Sequence, residues 1–345
     1  MNPIMYSIIL SSVAIGTIIT MTSFHWLLAW IGLELNTLAI IPIIAKPHHP
    51  RATEATTKYF LTQAAASAMV LFASTTNAWY TGTWDISQLT NPQACTLLTL
   101  ALSMKLGLAP LHFWLPEVLQ GTSMSTALII TTWQKLAPIT LLFLVHNSIN
   151  PMIMLIMAMI STLTGGWGGL NQTQTRKIMA FSSIAHLGWM ASILTLNPNI
   201  LLLSLFLYII MTIPTFLVLK YTASKTIKDL TTLWTTSPQI APLTMGLLMS
   251  LGGLPPLTGF MPKWLILQEL TTHSLTPIAT ILAMSALLSL FFYLRLSYIA
   301  TLTMHPTTTK DTNKWRFQPK PLTPPITMLT TLSFLLLPMT PVLFY

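Results

Sequence analysis

Apolar runs of about 20 residues, the length of helix that crosses a bilayer, follow one another along the chain with short polar or proline-rich breaks between them. Eleven can be placed, at 3–22, 25–45, 55–75, 95–115, 124–146, 151–170, 177–196, 199–221, 240–267, 275–302 and 323–344. No strand-like alternation is visible, and backbone groups in lipid need partners within their own segment, so the spans are predicted to be helices. Internal prolines predict that the fourth and ninth are discontinuous, near 104–117 and 250–263. The expectation is an all-α polytopic membrane protein with eleven transmembrane helices.

Composition agrees. Of 345 residues, 53% are hydrophobic and 7% charged, with mean hydropathy +0.68. A soluble domain carries about 25% charged residues, so this chain could not wet its own surface. One cysteine, Cys95, excludes a disulfide framework, a four-thiolate zinc site and a cysteine-held iron–sulfur cluster. No Walker loop, nucleophile triad or magnesium-binding carboxylate cluster is present. The net charge of +9 reads as loop asymmetry rather than as a nucleic-acid footprint. Loops after even-numbered helices hold 12 of the 16 basic residues, from Lys46 to Lys320, and loops after odd-numbered helices hold none. The N-terminus is thus expected on the positive side and the C-terminus opposite. No Arg-rich presequence or small-residue cleavage site suggests a removable leader.

The two broken segments repeat one another. Gly107-Leu108-Ala109-Pro110-Leu111 with Pro116 matches Gly253-Leu254-Pro255-Pro256-Leu257 with Pro262, at a constant offset of 146. They fall five helices apart, so they cross in opposite directions, the pattern of an inverted repeat in transporters. The expected division is a first five-helix repeat over 1–150, a second, inverted one over 151–302, and a loop with a final helix over 303–345.

Glu34, Lys105, Lys135 and Lys263 are ionisable residues placed deep inside predicted spans. A charge at mid-bilayer costs from ~3 to more than 10 kcal/mol, so it must face protein or water. Lysine suits proton transfer because it can lose its charge on desolvation, whereas arginine stays charged. A helix break supplies unpaired backbone dipoles that hold ions and water. Each position also has a structural reading. Lys105 and Glu34 could be a static pair, Lys135 could be paired or snorkelling, and Lys263 could be a helix-end charge reaching for headgroups. His112 and His186 titrate near neutrality and are either relay groups or hydrogen-bonded core histidines. Arg295, near the positive end of helix 10, reads as snorkelling. The Gly165–Gly169 cluster follows no strand and reads as helix packing or a kink. His48 and His49 lack the spaced partners of a metal site, and 303–320 reads as a solvated loop.

With Lys105, Pro110, His112, Trp114, Leu115 and Pro116, preceded by Glu34 and followed by Lys135 and Lys263, the chain resembles the antiporter-like membrane subunits of NADH:quinone oxidoreductase, respiratory complex I. These are related to multi-subunit sodium/proton antiporters. Length, helix count and an acid-poor, Thr-, Met- and Leu-rich composition are similar to those of animal mitochondrial members. The resemblance implies an antiporter-like fold, and proton translocation driven by quinone reduction elsewhere in the complex. Family members have fourteen helices, so Glu34, Lys105, Lys135 and Lys263 correspond to the family's buried charges if three N-terminal helices are missing. It further implies that NADH, FMN, iron–sulfur clusters and ubiquinone belong to other subunits. The expected partners are other membrane-arm subunits, including neighbouring antiporter-like and accessory subunits, and lipids such as cardiolipin. The positive side becomes the matrix of an inner mitochondrial membrane, and the C-terminus faces the intermembrane space. Under this reading Lys105 holds its proton while ionised Glu34 is close and releases it when that pairing weakens. Two other classes use the same sequence: a stand-alone cation/proton antiporter, and a structural spacer without its own proton path.

Overall fold

In the computed structural model, residues 2–231, 233–236, 238–301 and 323–339 are described. The stretch 303–320 and the end of the last apolar run lie outside them. Among the described residues there is no strand, only two isolated bridges, His25 to Asp85 and Gln174 to Thr226. Helices α1 (Pro3–Thr22), α2 (Trp26–Ala45), α3 (Pro50–Thr81) and α4 (Pro92–Leu106) are followed by a short α5 (Trp114–Gly121). The next apolar run is split into α6 (Met124–Thr131), a 3-10 turn (Trp133–Lys135) and α7 (Leu136–Leu144). Then come α8 (Pro151–Leu170), α9 (Thr175–Ile193), α10 (Pro198–Tyr221), the short α11 (Ile227–Leu230) and α12 (Leu233–Thr236), α13 (Ile240–Gly252), α14 (Phe260–Thr272), α15 (Thr276–Thr301) and α16 (Thr323–Leu335). Among the described residues, six spans are long and apolar enough to cross a membrane, with α6 to α7 taken as one of them.

Helix starts are written in Asn-Pro pairs. Asn2, Asn91 and Asn150 accept from the backbone N–H two residues on, at 3.2, 3.0 and 3.0 Å, and a proline follows each where a donor would be orphaned anyway. Serine and threonine hydroxyls inside the helices turn back onto their own backbone. Thr17, Thr20, Ser161 and Thr212 each donate to a carbonyl one turn back at 2.7–2.8 Å, which removes the cost of placing them in an apolar medium.

The chain forms two compact units. The first comprises Met1–Ser161 with Ala191–Pro198, and the second Thr162–Met190 with Asn199–Tyr345. In the first, α1 packs on α2, α2 on α3, and α3 on both α4 and α5. In the second, α13 packs on α15 and α16, and α14 on α15. Arg295 of α15 donates to the carbonyls of Leu170 and Gln172, capping the end of α8 rather than reaching for headgroups.

Candidate functional site

The first break begins directly after Lys105. Gly107 takes φ +80°, a conformation open to glycine, and its N–H returns to Ser103 (2.9 Å) and Met104 (3.2 Å). Pro110 cannot continue the helix, and the chain crosses to α5. There Trp114 Nε1 donates to the Met104 carbonyl at 3.0 Å, a second donor to an acceptor at the helix end. α5 is tied to α3 by Lys58, which bridges Glu54 on its own helix and Glu117 at 2.7 Å.

Lys105 is 6% exposed, and its Nζ has no hydrogen-bond partner among the described residues. Glu34 is half-buried, accepts Thr37 Oγ1 at 3.2 Å, and lies within electrostatic range of Lys105 and Tyr59. Among the described residues no ion pair under 4.0 Å joins it to Lys105. Lys135, 2% exposed, ends the 3-10 turn. That turn has a covalent cause: Pro138 has no N–H to return to Gln134, and its ring displaces that carbonyl. Lys105 and Lys135 open onto one cavity of about 10 Å³, whose other polar walls are Asn36, Thr37, Tyr59, Gln63 and Gln134. His112 is buried in the break against the Phe113 ring, 4.4 Å between centroids, and is not on the wall of that cavity.

The second break has the same construction within its own unit. Gly253 takes φ +75°, and its N–H returns to Ser250 at 3.0 Å. Lys263 Nζ donates to the Gly252 carbonyl at 2.7 Å, so the amine turns inward onto the break. A side chain at position 253 would meet that amine at 2.8 Å, a second reason for glycine there. His186 of α9 is half-buried, its ring 5.5 Å from that of Tyr208. Among the described residues no three His, Cys, Asp or Glu side chains stand together as a metal site would require.

The uncharged polar residues of the first cavity (Asn36, Gln63 and Gln134) were not singled out by sequence. Their signal is an amide inside an apolar run, which also demands a partner.

These paired breaks and buried amines define a class. Residues 23–289 match the NADH:quinone oxidoreductase/Mrp antiporter transmembrane family, and this chain belongs to it. Residues 290–344 match the NADH dehydrogenase subunit 2 C-terminus. The chain is 62% identical to NADH-ubiquinone oxidoreductase chain 2 of Salmo salar, over 99% of this chain and 98% of the relative. Identity to the protein of the same name from Xenopus laevis is 56%, covering 99% of each. Among solved structures, a chain of respiratory complex I from Thermus thermophilus superposes with a TM-score of 0.86 at 26% identity, covering 98% of this chain and 80% of that one. A chain of the Mrp complex from a Dietzia species shares the fold, with a TM-score of 0.83 at 17% identity over 96% of this chain and 74% of that one.

Proposed function

We propose that the chain is a membrane-arm subunit of mitochondrial NADH:ubiquinone oxidoreductase, in which its buried amines carry protons across the inner membrane. Electron transfer from NADH to ubiquinone takes place in other subunits, which hold NADH, FMN, the iron–sulfur clusters and the quinone. The proposed topology is eleven spans in two inverted repeats, over 1–150 and 151–302. The N-terminus and even-numbered loops face the matrix, and the C-terminus faces the intermembrane space. Support comes from the charge asymmetry of the loops and from Gly107 and Gly253, which end their helices in the same left-handed conformation. Neighbouring antiporter-like and accessory subunits, with membrane lipids such as cardiolipin, cover the apolar side chains that α1 to α3 expose, among them Ile8, Ile15, Phe60 and Phe72.

One observation carries the relay. An amine with no hydrogen-bond partner among the described residues, Lys105 Nζ, stands at a helix break and shares a small polar cavity with a second buried amine, Lys135. Burying an ammonium costs several kcal/mol, which a purely structural site avoids by using an apolar side chain. Glu34 adjusts how firmly Lys105 holds its proton, and Lys135 receives it through water. Lys263 on its carbonyl is the station of the second unit, with His112 and His186 as intermediates. Lys105→Ala tests this in the reconstituted complex. Protons moved per electron are expected to fall by this subunit's whole share while NADH oxidation is followed separately. A fully assembled variant with normal proton yield removes Lys105 from the path.

A further inference from the structure

Beside the two lysines of the first unit stands a hydrogen-bonded bridge that the relay does not use. Gln134 Nε2 donates to Asn36 Oδ1 at 2.6 Å, and the Tyr59 hydroxyl donates to Gln134 Oε1 at 3.4 Å. All three side chains line the cavity onto which Lys105 and Lys135 open. Its volume of about 10 Å³ is the size that holds a single water. Two buried donors on its wall, Lys105 Nζ and Gln63 Nε2, have no acceptor among the described residues, so the site is built for an acceptor such as water.

The chemistry of the bridge matters. Water or a hydroxyl passes a proton on by accepting at a lone pair and donating its own. A carboxamide can do so only through its imidic acid tautomer, so an amide pair occupies a proton route without conducting along it. Gln134 is also placed to act on both sides. It sits in the 3-10 turn next to Lys135, and its partner Asn36 follows Glu34 by two residues on α2.

We propose that the Asn36–Gln134–Tyr59 bridge meters the water link between Lys105 and Lys135, with Gln134 as the positioning residue. This rests on the relay reading above. Bridged, the cavity holds one water, too little for a continuous chain. When Gln134 leaves Asn36, further waters enter and a proton hops between the amines. The bridge thereby sets when transfer is allowed and blocks return flow.

The test compares Gln134→Ala and Gln134→Leu in the reconstituted complex, reading protons moved per electron against a rising opposing membrane potential. Alanine removes four heavy atoms, room for about two more waters at ~30 Å³ each. Its proton yield is expected to fall steeply as load rises, to at least twofold below wild type under full load, as protons slip back. Leucine keeps the bulk, breaks the bridge and excludes water, so its yield is expected to fall at least twofold at every load. If Gln134→Ala does not assemble, Asn36→Ser releases the bridge from the other side and the load dependence is read there. Wild-type yield at every load in assembled variants overturns the proposal. Lys105→Ala keeps the two readings apart. Normal yield in that variant defeats the relay itself, whereas loss there beside wild-type behaviour at Gln134 defeats the gate alone.

Discussion

Gly259 is where the second break is tightest. It precedes α14, and a Cβ built on it would lie 1.7 Å from the carbonyl oxygen of Ser250. Real Cβ contacts essentially never fall below 3.0 Å, so Gly259→Ala must drive the start of α14 and the end of α13 apart by at least ~1.3 Å, the difference of the two distances. Both sides are backbone, and no side-chain rotation relieves the clash. Overpacking of this kind costs ~1–3 kcal/mol. The same displacement stretches the 2.7 Å bond from Lys263 Nζ to Gly252, because that bond spans the two halves that must separate. A hydrogen bond involving a charged group contributes ~1.5–3 kcal/mol, so the combined loss is about 2.5–6 kcal/mol. The assay is the amount of complex assembled and its thermal midpoint, with proton yield measured on whatever assembles. We expect less complex, a midpoint lower by several degrees, and a reduced yield. Wild-type values for all three in Gly259→Ala would refute the argument that this close approach fixes Lys263 on the break.

Two further outcomes follow from groups away from the amines. In the capping box of α11, burial pushes the Asp229 carboxyl up. The N–H groups of Lys225 and Thr226, donating at 2.9 and 2.8 Å, outweigh that and hold it below the usual carboxylate range. A depressed folded value means the stabilisation is present above the ordinary carboxylate range and is lost as pH falls through the folded value. Protection factors for amides 225–230 should therefore drop in acid, and Asp229→Ala should lower them at neutral pH by ~1 kcal/mol or less at this exposed site; equal factors in the variant contradict the cap. Arg295 forks onto two carbonyls at the end of α8, so Arg295→Met should cost ~2 kcal/mol and Arg295→Lys about half of that, read as thermal midpoints of the complex. A lysine variant as stable as wild type would return Arg295 to a snorkelling role.

Hydropathy located the helices where the lipid-facing stretch and the hydrogen-bonded helix coincide. The runs 3–22 and 151–170 have the bounds of α1 and α8, each opened by an Asn-Pro pair. It fell short where a helix outlasts its apolar part. α3 runs from Pro50 to Thr81, beyond the expected 55–75, with the polar or charged Arg51 and Glu54 added at one end and Asn77 and Trp79 at the other. The run 124–146 reads as one helix, yet Pro138 forces a 3-10 turn at Lys135, since proline acts on the carbonyl one turn earlier and not at its own position. The breaks at Gly107 and Gly253 were legible because proline and glycine act locally, through fixed dihedrals and a missing donor.

The charged members of the site stood out for an energetic reason. An ion in lipid is so expensive that its presence alone demands explanation, whereas Asn36 and Gln134 cost only what a lost hydrogen bond costs, and each repays it from the other. Their pairing spans 98 residues, so no local rule brings them together. In the proposed relay such groups matter as much as the ions. Amines separated by more than a hydrogen bond exchange protons through intervening water or titratable side chains, and the groups with just enough polarity to hold or exclude that water decide whether a water chain exists. A search for charges therefore finds the proposed stations, whereas the neutral residues proposed to set conductance between them are disclosed only by the folded chain.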